Sequence, residues 1–163
     1  MRPFTDAEIR ASFLNASLRE RKVVQLPDRL DRIPWESLDY LGWHDRKLPQ
    51  VAYVTADLDG ATASLVLRRA DAKPRSRAQC SWCADTALPN DVVLYTAKRT
   101  GEAGRRGDSV GILVCENFEC SANVRVLPPS AYLGFDREAA RDRRIEALRE
   151  NVAAFLRAVR DGR

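Results

Sequence analysis

The chain has 163 residues, 45% of them apolar and 31% charged, with 27 basic side chains against 23 acidic ones and a formal charge of +4. That length suits one domain, or one domain with a small appendage, and the apolar fraction suffices for a core. The mild basic excess excludes a histone-like polycation and permits, without demanding, an acidic or nucleic-acid partner. No apolar run approaches a membrane span and the first residues lack a signal-peptide core, so the expected location is the cytoplasm, where thiols stay reduced.

The first residues read as a helical lead-in. Thr5-Asp-Ala-Glu8 is a capping box, in which the Thr5 hydroxyl accepts from the Glu8 amide while Glu8 reaches back. Ile9, Phe13 and Ala16 follow at helical spacing, which predicts a helix ending near Arg21. Pro27 and Pro34 break the next stretch. A second short helix is expected from Pro34 to Gly42, with Trp35, Tyr40 and Trp43 as an aromatic cluster that either packs in the core or faces a partner. Residues 50–56 and 61–67 read as a hairpin turned by Asp57-Leu-Asp-Gly60. Residues 68–77 carry five positive charges against one negative. They read as a solvated surface connection or as a phosphate-facing contact.

The chemistry lies in the four cysteines, which fall as two close pairs: Cys80-Ser-Trp-Cys83 and, after a 31-residue insert, Cys115-Glu-Asn-Phe-Glu-Cys120. Two such pairs read as one tetrahedral thiolate site, with zinc as the default metal and softer or redox metals as alternatives. Two disulfides, four buried thiols, or a redox dithiol at Cys80 and Cys83 are the competing readings. The insert supports a metal. Residues 91–98 and 109–114 are strand-like, the Gly-rich run 100–108 between them reads as a hairpin tip displaying Arg105 and Arg106, and a short helix over 117–126 would hold Cys120. Knuckle, hairpin and ligand-bearing helix is the plan of a treble clef. Four protein ligands close the site, which leaves no position for an activated water.

The C-terminal stretch predicts a long helix capped by Asp136. Ile145, Leu148, Val152, Phe155 and Val159 recur at spacings of three and four residues, a seam for packing on the sheet or the N-terminal helix, or a short coiled-coil stripe. The fold class expected is α+β: an N-terminal helical segment over 1–46, then an α/β domain over 47–163. The second domain would hold a small antiparallel sheet, the four-cysteine finger at about 78–126 and the long C-terminal helix. Catalytic signatures are absent. His44 is the single histidine, there is no Walker A loop or G-x-S-x-G, and Gly101-x-x-Gly104-x-x-Gly107 matches a phosphate loop only loosely. No small-molecule substrate is expected, and a binding protein is favoured over an enzyme.

Several blocks carry a family likeness. Cys80-x-x-Cys83, Tyr95-Thr-Ala-Lys-Arg99, Ala103-Gly-Arg-Arg-Gly107 and Val110-Gly-x-x-x-Cys115-x-x-x-x-Cys120-x-x-Asn123-Val-Arg125 resemble the FBP family, the FusB-type proteins that bind elongation factor G. Glu8-Ile-Arg-Ala-Ser-Phe13 and Leu38-Asp-Tyr-Leu-Gly-Trp43 resemble its shorter members. The resemblance implies one structural zinc on Cys80, Cys83, Cys115 and Cys120. It also implies non-covalent binding of elongation factor G, with release from stalled ribosomes in the fusidic acid resistance members. Tyr95, Lys98, Arg99 and Arg105, with Phe118 and Arg125, are the partner-binding candidates it suggests. The N-terminal helical bundle is reduced relative to the resistance members. An RNA- or ribosome-binding zinc finger is the alternative, motivated by residues 68–77 and Arg105-Arg106.

Overall fold

In the computed structural model, which describes residues 1–71, 78–85 and 90–162, five antiparallel strands form one sheet whose spatial order follows the chain: β1 (Leu41–His44), β2 (Val51–Leu58), β3 (Ala61–Arg69), β4 (Val92–Lys98) and β5 (Ser109–Cys115). β2 is buried on both faces, and its alternation decides what each face meets. Ala52, Val54, Ala56 and Leu58 face one core, while Val51 and Tyr53 face another. The β2–β3 turn is tighter than four residues. Asp59 and Gly60 both take positive φ, 53° and 82°, the geometry of a two-residue turn that matches strand twist.

The first core is covered by α5 (Arg137–Arg160), which starts at the Asp136 cap, where the carboxylate accepts from the Ala139 amide at 2.9 Å. Leu148, Val152, Phe155, Leu156 and Val159 are buried there. Their seam meets β2, β3, β5 and α4 (Cys120–Arg125), so it packs across the sheet.

The second core lies under the N-terminal segment, where the structure corrects two expectations. The lead-in is not one helix to Arg21. α1 (Asp6–Ala11) stops after six residues and α2 (Leu18–Val23) restarts with its own capping box, Ser17 and Glu20. The reason is the edge of β3, which pairs with β4 only at Arg68 and Arg69. The uncovered part needs partners, and residues 12–15 supply them. Leu14 N–H donates to the Ser64 carbonyl at 2.9 Å and Ser64 N–H to the Ser12 carbonyl at 3.0 Å. The Asn15 amide both donates to and accepts from the Val66 backbone.

The second correction concerns residues 34–42, which form a single 3-10 turn at Trp35–Ser37 and then enter β1, paired along β2 from Leu41↔Thr55 to His44↔Ala52. Gly42 is required in that strand because a Cβ there would lie 2.3 Å from the Phe118 ring. The three aromatics do not form one cluster. Trp35 packs edge-on to Phe4, Trp43 tilts over Tyr53, and Tyr40 crosses to the other core against Trp82. The run 100–108 is likewise more than a hairpin tip: it holds a five-residue helix, α3 (Gly101–Arg105).

Candidate metal centre

Each cysteine is placed by a separate local device. Cys80 and Cys83 sit in a tight turn closed by a 2.9 Å bond from the Ala84 amide to the Cys80 carbonyl, with Ala84 at φ 55°. Ser81 N–H donates to the Leu113 carbonyl at 2.8 Å, which ties the knuckle to β5. Cys115 ends β5. The chain then turns at Phe118, φ 61°, whose amide donates to the Cys115 carbonyl at 3.0 Å, and Cys120 opens α4.

The four sulfurs lie within 4.8 Å of one another, and all four residues are buried. Cys80 and Cys120 sulfurs are 3.6 Å apart, and those of Cys83 and Cys115 are 3.7 Å apart. A tetrahedral centre with metal–sulfur bonds of about 2.3 Å has edges of about 3.8 Å, so the cage fits zinc in size and ligand type. The separations are also far beyond an S–S bond, and all four cysteines are free thiols.

The electrostatics agree. Hydrogen bonds from Cys115 and then Cys120 pull the Cys80 thiol far below its usual range and hold Cys83 at about 7. Cys120, hydrogen-bonded to Cys115, Cys80 and Cys83, is pushed far up. Four thiols this close cannot all ionise against one another. A divalent cation resolves the conflict by balancing the thiolates.

Two groups around the cage were not singled out as site residues from the sequence. Asn123 Nδ2 lies 3.5 Å from the Cys115 sulfur and 3.9 Å from that of Cys83, as a donor to the thiolates. Its signal is its position three residues after Cys120, on one face of a short helix. Asp39, whose carboxylate is fully buried, receives both Arg125 from α4 and Arg149 from α5. It thereby ties the N-terminal segment to the finger. His44, from β1, places Nε2 3.0 Å from the Glu116 carbonyl in the ligand loop, a packing role.

The structure does not gather the six partner-binding candidates on one surface. Tyr95 is fully buried and stacks on buried Phe118, with ring centroids 5.3 Å apart. Its hydroxyl donates to the Glu116 carbonyl at 2.8 Å, and burial pushes its pKa up to about 12. Arg99 reaches the Ala158 carbonyl at 2.6 Å and Arg125 the Asp39 carboxylate, so both brace the fold. Lys98 and Arg105 are exposed. Of the basic stretch 68–77, residues 72–77 lie outside the described residues.

Knuckle, β4–β5 hairpin and α4 around a closed thiolate cage define a treble-clef zinc finger whose metal is structural. The chain belongs to the FBP C-terminal treble-clef zinc-finger family, whose model matches residues 8–159. Among solved structures it is similar to the fusidic acid resistance protein FusC, with a TM-score of 0.50 and 22% identity, covering 64% of this chain and 47% of FusC. The likeness is one of fold, and this chain spans about half the length of that protein. No curated protein sequence matches the chain.

Proposed function

We propose that this protein is a non-enzymatic, zinc-stabilised adaptor that binds translation elongation factor G in the cytoplasm. The observation that carries the reading is the closed, buried four-thiolate cage in a chain that belongs to the FBP zinc-finger family. Such a cage offers no open coordination site for catalysis and makes a rigid platform out of short elements. Rigidity lowers the ordering cost of association. Lys98 and Arg105, exposed beside the β4–β5 hairpin end, are the cations that would steer an acidic partner. Tyr95 and Phe118 brace the ligand loop from within, Arg99 ties the end of β4 to α5, and Arg125 ties α4 to Asp39. The structural relative FusC is a fusidic acid resistance protein. For this chain, release of the factor from stalled ribosomes is the corresponding activity to test after binding.

The experiment is titration calorimetry of the zinc-loaded protein against purified elongation factor G at two salt concentrations. Saturable binding that weakens at the higher salt is the expected result. No heat of binding at either salt overturns the reading.

A further inference from the structure

The loop joining α4 to α5, from Val126 to Phe135, contains no charged side chain in a chain that is 31% charged. It exposes four large apolar side chains: Val126 at 58%, Leu127 at 40%, Tyr132 at 66% and Leu133 at 104%. Seven large apolar residues are exposed among the described residues, and the other three, Leu18, Val23 and Leu48, belong to the N-terminal third of the chain. Single exposed apolar residues need no explanation, but four within one uncharged ten-residue loop do.

The loop is held in shape. Arg137 Nε donates to the Pro128 carbonyl at 2.6 Å and Arg144 Nη1 to the Val126 carbonyl at 3.2 Å. Ser130 Oγ and the Phe135 amide both donate to the Tyr132 carbonyl, at 3.0 and 3.1 Å. The Tyr132 and Phe135 rings meet edge to face at 5.3 Å. Pro128 and Pro129 restrict the backbone between these ties. None of these contacts covers Leu133, so the segment presents an apolar tip whose ordering is already complete. Beside it, the first turns of α5 carry four arginines, Arg137, Arg141, Arg143 and Arg144, against Glu138 and Asp142. Arg141 pairs with Asp142 and Arg144 with Asp85, while among the described residues neither Arg137 nor Arg143 pairs with a carboxylate.

We propose that the loop 126–135 is a preformed docking surface for a protein partner offering an apolar pocket rimmed by carboxylates. This rests on the adaptor reading, and it makes elongation factor G the partner whose pocket receives Leu133 and Tyr132. The basic rim selects an acidic protein surface, and the aliphatic tip needs a pocket that a phosphate backbone does not provide.

The test is calorimetry of zinc-loaded wild type, the double variant Leu133→Ser/Tyr132→Ser and Arg143→Ala against purified elongation factor G. The double variant is expected to bind at least about tenfold more weakly, because two apolar anchors are lost. Its circular dichroism and zinc content should be unchanged, because both side chains are solvent-exposed. Arg143→Ala should bind about threefold more weakly at low salt and match wild type at high salt. Binding by wild type that the double variant retains within about twofold overturns the docking surface and leaves the adaptor reading standing. No binding by wild type overturns both. Wild-type self-association that the double variant abolishes, with factor binding unchanged, assigns the loop to a second copy of the chain and also overturns the proposal.

Discussion

The two faces of the sheet are built by opposite means. One carries a 24-residue helix with a continuous apolar seam and a cage of four cysteines. The other carries two six-residue helices, each with a capping box, and two 3-10 turns. Helices that short have no independent stability. They are held by hydrogen bonds to the sheet edge, by the Arg10 guanidinium on the Arg21 and Val24 carbonyls, and by apolar contacts of Phe4, Ile9, Phe13 and Trp35. The contrast teaches that a small fold can hold one face by long-range apolar and metal contacts and the other by many local ones. Asp39 and Tyr40 stitch the two together, since both come from the N-terminal segment and contact the α5 side.

The largest expected break is removal of the metal. Cys115→Ser, or chelation of the wild type, should unfold the cysteine-bearing half, because structural zinc binding contributes on the order of 10 kcal/mol to finger folding. Hydrogen exchange should show β4, β5 and α4 losing protection first. A native melting profile for Cys115→Ser would contradict the structural role of the cage. Next come the two cores. Leu156→Ala under α5 and Ile9→Ala under the N-terminal segment each remove a fully buried side chain, and each should cost about 2–5 kcal/mol in denaturant unfolding. The comparison sharpens if the Ile9 variant loses protection only on residues 1–40 before global unfolding, and breaks if both variants melt in one transition.

Asp39→Ala tests the stitch. It strips a buried carboxylate from Arg125 and Arg149, but Arg149 is 57% exposed and can be solvated. The expected loss is therefore about 1–3 kcal/mol, below that of a fully buried pair. It should uncouple the two faces in hydrogen exchange. The smallest effect is one of pH. Glu8 is held at about 2 instead of 4.5, chiefly by the Thr5 amide and then the Thr5 hydroxyl. A carboxyl lowered in the folded state adds stability above its unfolded pKa and loses it as pH falls, here from about 4.5 to about 2. The α1 amides should lose protection across that window, and Glu8→Gln should remove the pH dependence there.

Much of the fold was legible locally. The Thr5 and Asp136 caps, the position of the β2–β3 turn, the β4 and β5 strands and the α5 seam each follow from local spacing, and the structure has all of them, with the turn tightened to Asp59-Gly60 and a short helix between β4 and β5. The break at Ala11 was not legible, because its cause is a sheet edge some 50 residues away at Ser64. Strand β1 was hidden for the same kind of reason: aromatic residues after Pro34 suit a helix as well as a strand until β2 offers its edge. At the site, the cysteine spacing announced the cage, whereas exposure separated Lys98 and Arg105 from the buried Tyr95 and Phe118.

The sequence by itself determined the cage ligands, the Thr5 and Asp136 caps and where the β2–β3 turn falls, because metal spacing, capping and tight-turn geometry are short-range chemistry. Only the tertiary structure decided which strands met, where the lead-in helix stopped and which aromatic and basic side chains reached the surface. Those outcomes depend on backbone groups and side chains far apart in the chain, whose hydrogen bonds and burial exist only once the sheet has formed.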